Sequence, residues 1–569
     1  MDYLQSIVDI AIISARLHVR KFVLSPGSRC APLTLSIVRH PDLTTYVIPD
    51  ERSAAYVALG MSQQTRETIG LVCTSGTAAL NYAPAVAEAF YQQVPLLILT
   101  ADRPPEWIDQ QDGQAIRQQG IYGNHLKGSY QLPVSTEHKD AAWHVQRMLS
   151  EAIQLAQSYP QGPVQVNVPI REPFYPQPDE RFHFDHKCKV IEEQKGECRL
   201  SETTWQELIE KIRQTPRVLL VPGQQLPSPA LLESLNHLPF PIVSDIISNH
   251  HGLKNAVYHQ DAFLISQEEL KQSLQPDLLI TYGNSVISKN LKLFLRKYQA
   301  KEHWHIQEAG AVADTYQSLT KVIRTSPEYF MAGLAGRLEE ERQYKAYREQ
   351  WLKTDREVAE THKRLAQEHT FHELAVVQQL LEALDGPVHL HLANSMVVRY
   401  ANFVNLRGKE HVKVFANRGT SGIDGSSSTA VGHALANPGV TNILVTGDMA
   451  FFYDRNAFWH QYPLPNVKVF LMNNQGGVIF RMIDGPARQP ELEEYFETKQ
   501  TLEARHLAEE HEFTYYQAGN QLEFQKQLQE FLQNQTAPSI FEVKTDKIKS
   551  KEAFVSYKKH IASMGETEA

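Results

Sequence analysis

The chain is poor in cysteine. Cys30, Cys73, Cys188 and Cys198 are all it has in 569 residues, and they form neither a disulfide framework nor a CxxC zinc pattern. A reducing cytoplasm fits that usage best. No apolar run nears the roughly 20 residues that cross a bilayer, so no membrane insertion is expected. The start, Met1-Asp2-Tyr3, has no basic segment and does not read as a signal peptide. Positive charge is not in excess either: 56 Lys and Arg against 65 Asp and Glu leave a formal charge of −9. An interspersed acidic surplus argues against binding nucleic acid or an anionic membrane, which uses a basic face. An anionic small molecule would need a local cluster of Arg and Lys.

What is present is a series of short apolar runs separated by helical stretches. A mean hydropathy of −0.38 with 42% hydrophobic residues is ordinary for a soluble protein. Leu4, Ile7, Val8, Ala11 and Ala15 recur at helical spacing. Phe22-Val23-Leu24, Tyr46-Val47-Ile48, Ile69-Gly70-Leu71-Val72-Cys73 and Pro95-Leu96-Leu97-Ile98-Leu99 then read as strands. Continuous apolar strands alternating with helices mark parallel sheets covered on both faces. The pattern restarts at Val218-Leu219-Leu220-Val221 and at Val388-His389-Leu390-His391-Leu392. A proline-rich exit at 172–178, followed by a charged stretch to Arg199, reads as a linker. A charged, proline-free stretch from Gly336 to about Thr370 reads as a connecting helix. The expected division is three α/β domains at 1–180, 200–350 and 371–569, with no residue-level repeat between them.

Two strand ends carry the sharpest chemistry. Ile443-Leu444-Val445-Thr446 runs into Gly447-Asp448, and Val467-Lys468-Val469-Phe470-Leu471-Met472 runs into Asn473-Asn474-Gln475-Gly476-Gly477. Ligands of open parallel sheets sit outside the carboxyl ends of the strands. Oxygen-bearing side chains at neighbouring strand ends suit a hard cation such as Mg²⁺, which takes few protein oxygens plus a diphosphate; two plain Gly/Asn turns after buried strands are the alternative. Glu51 also follows an apolar strand and begins an apolar helix. A partly buried carboxylate there can share a proton with a heterocyclic nitrogen; a plain helix-terminal Glu favoured by the macrodipole is the alternative.

Other patterns carry no chemistry. His303-Trp304-His305 and His389-Leu390-His391 alternate as residues on one side of a strand do, and His250-His251 cannot easily face one metal from a strand. Ser75 lacks the G-x-S-x-G frame of a nucleophile elbow. Gly419, Gly422 and Gly425 lack the strand–glycine–helix context of a dinucleotide fingerprint.

Taken in order, several strings resemble landmarks of one family. They are Ser25-Pro26-Gly27-Ser28-Arg29, Asp50-Glu51-Arg52, Thr74-Ser75-Gly76-Thr77-Ala78 and Thr100-Ala101-Asp102-Arg103-Pro104-Pro105-Glu106, then Gln114-Ala115-Ile116-Arg117-Gln118. Asn394-Ser395, Asn417-Arg418-Gly419 and Ser421-Gly422-Ile423-Asp424-Gly425 follow. They resemble the thiamine diphosphate (ThDP) enzymes of the MenD type, the 2-succinyl-5-enolpyruvyl-6-hydroxy-3-cyclohexene-1-carboxylate (SEPHCHC) synthases of menaquinone biosynthesis. The resemblance implies three doubly wound parallel-sheet domains: a pyrimidine-binding one, a central one and a diphosphate-binding one. It also implies a transferase that decarboxylates 2-oxoglutarate and adds the succinyl unit to isochorismate.

The same resemblance assigns residues. Glu51 is the catalytic residue and hydrogen-bonds the cofactor's pyrimidine. Thr77, Ile423 and Gly447 contact the cofactor, Ile423 as the apolar wedge that holds it bent. Asp448, Asn474 and the Gly476 carbonyl ligate Mg²⁺, with Mn²⁺ as a substitute. Arg399 and Arg418 with Ser395 hold the succinyl carboxylate, as bidentate Arg partners do. Ser28, Arg29, Arg103, Gln114, Arg117, Lys289 and Asn394 surround isochorismate, and Ile479 and Phe480 give apolar cover. A homodimer or homotetramer with shared sites is implied. The chain departs from the pattern in three places: a loop one residue shorter between Asp448 and Asn473, Gly113 where relatives often carry Asn, and Asn290 where some carry Arg. Other ThDP-dependent 2-oxoacid decarboxylases or carboligases, and a non-catalytic binding protein on this fold, are the alternatives.

Overall fold

Runs such as Ile69–Cys73 and Leu96–Asp102 form strands in which every residue is buried, because helices cover both faces of the sheet they join. The computed structural model describes residues 4–177, 180–338, 342–367 and 371–563, without the side chains of 365–367. The Met1-Asp2-Tyr3 start, Pro178 of the proline-rich exit, positions 339–341 and 368–370 of the expected connecting helix, and 564–569 lie outside those residues.

Three six-stranded sheets are built from β1 (Lys21–Leu24), β2 (Thr44–Val47), β3 (Ile69–Cys73), β4 (Leu96–Asp102), β5 (Gly128–Gln131) and β6 (Val164–Pro169), then β7 (Val218–Pro222), β8 (Ile242–Val243), β9 (Ala256–Val257), β10 (Leu278–Tyr282), β11 (Glu302–Ile306) and β12 (Lys321–Ile323), and finally β13 (Val388–Leu392), β14 (Val412–Phe415), β15 (Thr441–Gly447), β16 (Val467–Asn473), β17 (Thr514–Ala518) and β18 (Ser539–Lys544). Their strand pairings are parallel, as the apolar runs lead one to expect. The first sheet is ordered β2-β1-β3-β4-β6-β5 and the third β14-β13-β15-β16-β18-β17. These are one topology used twice. The strand end of β3 therefore corresponds to that of β15, and the end of β4 to that of β16.

The chain divides into two compact units. One comprises Met1–Lys195 with Asn417–Gly439 and Ala450–Val467. Its apolar core lies on the first sheet. The stretch expected to be a linker is pinned there: Phe174, Phe182, Phe184 and Val190 pack against that core, and the Arg29 and Arg39 guanidinium groups sit 4.5 Å from the Phe174 and Phe182 ring centres. Within this unit the helix Glu51–Thr65 crosses the helix Ser426–Ala436 backbone to backbone. A Cβ on Gly60 would lie 2.1 Å from the Thr429 carbonyl oxygen, and one on Gly432 2.1 Å from that of Val57. Neither helix leaves room for a methyl group. Gly432→Ala is expected to destabilise the protein by roughly 2–3 kcal/mol, the upper part of the overpacking range, seen as a lower denaturation midpoint. An unchanged midpoint would contradict this close crossing.

The second unit comprises Gly196–Ala416, Val440–Met449 and Lys468–Ala569. Its two sheets share an apolar cluster that runs from Leu219 to Ile561. The helix Arg342–Gln367 buries Tyr347, Trp351, Leu352 and Val358 in that cluster, so the charged connection is a packed element. The histidines are structural. His303 and His305 alternate on β11 with hydrogen bonds of 2.7 and 2.8 Å to the Thr281 hydroxyl. His250 and His251 follow the Ile246–Ser248 turn and are not on a strand, and burial pushes both down to about 3. All four cysteines are free.

Candidate active site

In both units, residues singled out above follow carboxyl ends of strands. In the first unit, Glu51 opens the helix after β2 and is half-buried. Asp50 does the capping: its Oδ1 accepts from the Arg52 and Ser53 amides at 2.9 and 3.4 Å, and its Oδ2 from Asn456 at 2.7 Å. Helix capping therefore leaves the Glu51 carboxylate unused. Its charge is felt at Cys73, the last residue of β3, and at Cys30, which precedes the helix Ala31–Arg39; burial chiefly, with that charge adding to it, raises both.

After β3, Gly76 takes a φ of +89° and donates its amide to Gln118 Oε1 at 2.7 Å, which leaves Thr77 exposed at the start of the next helix. The hydroxyls of Thr74 and Ser75 are buried without a hydrogen-bond partner. Arg29 is buried, donating to the Ile170 carbonyl at 2.8 Å, while Ser28 beside it is exposed. Arg103 pairs with Asp112 at 3.1 Å and donates to the Gly113 carbonyl, so it holds the loop that carries Gln114. Asp102 is not its side-chain partner; that carboxylate accepts from Asn167 and the Arg103 amide. Arg117 pairs with Asp109 at 2.9 Å on the surface. The loop bearing Arg418 and Ile423 is tied at both ends. Buried Glu88 accepts from the Gly419 and Thr420 amides at 2.8 and 2.6 Å, and Asp424 accepts from the Tyr56 hydroxyl at 2.9 Å. Ile423 is 36% exposed, so core packing does not account for it.

In the second unit, Asp448 follows β15 and Asn474 follows β16. Asp448 is buried and accepts from the Gly476 amide at 2.8 Å, from Gln500 at 2.7 Å and from the Met449 amide at 2.9 Å. Burial, opposed by those hydrogen bonds, pushes its carboxyl up to about 6. The adjacent asparagines divide their work. Asn473 spends its amide on Glu542 and the Leu502 carbonyl, and its oxygen on Gln475 and Gln500. Asn474 donates to Glu373 at 2.6 Å and keeps a buried Oδ1 with no partner. Gly476 lies so close to the Glu497 carbonyl that a Cβ would come within 2.8 Å of that oxygen. A buried carboxylate, an orphaned amide oxygen and a glycine turn suit a hard divalent cation. No cluster of three or more His, Cys, Asp or Glu able to hold a metal occurs among the described residues.

Asn394 is buried after β13, and Ser395 takes a φ of +74° at the start of the helix Met396–Val404. Arg399, one turn on and half-buried, donates to the Ser395 carbonyl. Burial lowers its pKa, against the pull of the Asp261 charge. Lys289 is exposed at the start of its helix, where Ser288 caps and donates to Asp261 at 2.6 Å. Asn290 is bound to the Asp261 carbonyl at 2.8 Å. Ile479 and Phe480 are half-buried on a short helix, the Phe480 ring 5.9 Å from that of Phe496. Glu88, Gln118 and Glu373 were not singled out from the sequence. Gln118 lay within a noted string; the other two are acids in helices that no local pattern separates from surface residues.

Family models extend this geometry. The thiamine pyrophosphate enzyme N-terminal TPP binding domain matches residues 9–121, the middle domain of thiamine pyrophosphate enzymes 187–392, and the C-terminal TPP binding domain 396–543. The three domains together are those of a thiamine pyrophosphate enzyme. Among curated relatives, the SEPHCHC synthase of Cytophaga hutchinsonii is 43% identical over 98% of this chain and 99% of its own. Those of Porphyromonas gingivalis and Flavobacterium psychrophilum are 36% and 37% identical over 96% and 90% of this chain, and 95% and 90% of theirs. The chain belongs to the SEPHCHC synthase family.

Proposed function

We propose that this protein decarboxylates 2-oxoglutarate with ThDP and a divalent cation and adds the succinyl unit to isochorismate, yielding SEPHCHC for menaquinone biosynthesis. The observation that carries the reading is the buried Asp448 carboxylate with the orphaned Asn474 Oδ1, in a chain of this family. Asp448, Asn474 and the Gly476 carbonyl would hold Mg²⁺, or Mn²⁺ in its place, and Gly447 would help to hold the diphosphate. When bound, the cofactor supplies the electron sink that lets CO₂ leave a 2-oxoacid. Glu51 would hold a proton at the pyrimidine ring, and Thr77 and Ile423 would contact the cofactor, Ile423 as an apolar wedge. Arg399, Arg418 and Ser395 orient the distal carboxylate of 2-oxoglutarate. Ser28, Arg29, Arg103, Gln114, Arg117, Lys289 and Asn394 receive isochorismate, and Ile479 and Phe480 keep water out.

The protein works in the cytoplasm as a homodimer or homotetramer, with Glu51 of one chain and Asp448 of another completing each site. Two inactive variants, Glu51→Ala and Asp448→Ala, are therefore expected to regain partial activity when refolded together into mixed dimers. Random pairing puts about half of the chains in mixed dimers, and each such dimer holds one intact site. Verified mixed dimers without activity would refute site sharing. The substrate assignment is tested by comparing 2-oxoglutarate with pyruvate: Arg399→Leu should raise KM for 2-oxoglutarate alone by roughly 10–100-fold, as a lost charge-assisted pair does. An unchanged KM would remove Arg399 from the substrate site.

A further inference from the structure

Glu373 is an acid with no role in the reading above, yet it is placed against one of its ligands. It opens the helix Glu373–Ala383 and is 1% exposed. Its Oε1 accepts from Asn474 Nδ2 at 2.6 Å and from the Thr545 hydroxyl at 3.3 Å, so it joins the residues that follow β16 and β18. Its own backbone amide donates to Ser550 at 3.3 Å. No ion pair to Glu373 is found among the described residues.

An ionised carboxylate only accepts, and an amide has one accepting and one donating end. Glu373 therefore dictates which way Asn474 faces: the NH₂ group must turn toward Glu373, and Oδ1 must turn away. That oxygen is the buried atom left without a partner. Were the amide reversed, its oxygen would meet the Glu373 carboxylate and its NH₂ would point at the cation. We propose that Glu373 is a positioning residue that presents Asn474 Oδ1 to the divalent cation. This rests on the reading of Asp448, Asn474 and Gly476 as the cation's ligands. Groups that orient metal ligands in this way are commonly worth 10–100-fold in metal affinity.

The test is Mn²⁺ affinity of the full-length protein with ThDP present, read from the free-Mn²⁺ electron paramagnetic resonance signal. Glu373→Met fills the same space without an acceptor and should weaken Mn²⁺ binding about 10–100-fold. Glu373→Gln can still accept from Asn474 and should stay within a few-fold of the unaltered protein. Should Glu373→Met not fold, a swap carries the test. Asn474→Asp puts two carboxylates face to face and should weaken Mn²⁺ binding despite the added negative charge. Adding Glu373→Gln to Asn474→Asp lets the new amide donate to the new carboxylate, and binding should recover. Tighter Mn²⁺ binding by Asn474→Asp alone, or a Glu373→Met protein that binds as the unaltered one does, would overturn the role of Glu373. Failure of the unaltered protein to take up Mn²⁺ with ThDP would instead overturn the ligand assignment beneath it.

Discussion

Glu51→Gln is expected to lower turnover by roughly 10²–10⁴-fold, the span usual for a lost proton-transfer group, while cofactor affinity stays near that of the unaltered protein. The split follows from placement. Asp50, not Glu51, caps the helix, so the carboxylate at position 51 is free to meet a ring nitrogen without loosening the fold. The close crossing at Gly60 and Gly432 fixes the helix that carries it. An amide at position 51 keeps a hydrogen bond but cannot exchange a proton at neutral pH. Turnover should be measured beside ThDP affinity from intrinsic fluorescence. A variant that keeps most of its turnover would remove Glu51 from the chemistry, and one that loses ThDP binding altogether would make it a binding group.

Asp448→Ala is expected to abolish activity through the cation. One of the few protein oxygens on Mg²⁺ disappears, several kcal/mol of interaction, or on the order of 10³-fold in affinity. The free protein should be no less stable for the change. Asp448 is buried with no cationic partner among the described residues, and a carboxylate so placed costs stability until a cation arrives. The signature is thus paired: ThDP and Mg²⁺ no longer raise the melting temperature, and the unloaded melting temperature holds or rises. A lower unloaded melting temperature with cation binding intact would make Asp448 a structural carboxylate.

Much of this was legible along the chain because strand ends announce themselves. An apolar run that stops at Gly-Asp or Asn-Asn places its polar residues where an open sheet binds ligands, and β15 and β16 do this at Asp448 and Asn474, whereas Glu51 follows β2, a partly exposed edge strand. The apolar runs likewise marked sheets that proved parallel. The shared topology of the first and third sheets was not legible, since equal strand order needs no residue identity. Nor were Glu88 and Glu373. Each is defined by partners far off in sequence, Gly419 and Thr420 for one, Asn474 and Thr545 for the other, and a helical Glu looks the same buried or solvated. The 172–199 stretch misled for the converse reason: prolines and charges hide the few aromatics that hold it to the core.

Product formation by purified protein is the most direct test. With ThDP and Mg²⁺ it should release CO₂ from 2-oxoglutarate and, when isochorismate is present, form in step the succinylated cyclohexene adduct, identified by its mass. CO₂ release with no adduct from authentic isochorismate, or no release from folded protein shown to hold ThDP and Mg²⁺, would contradict the synthase assignment.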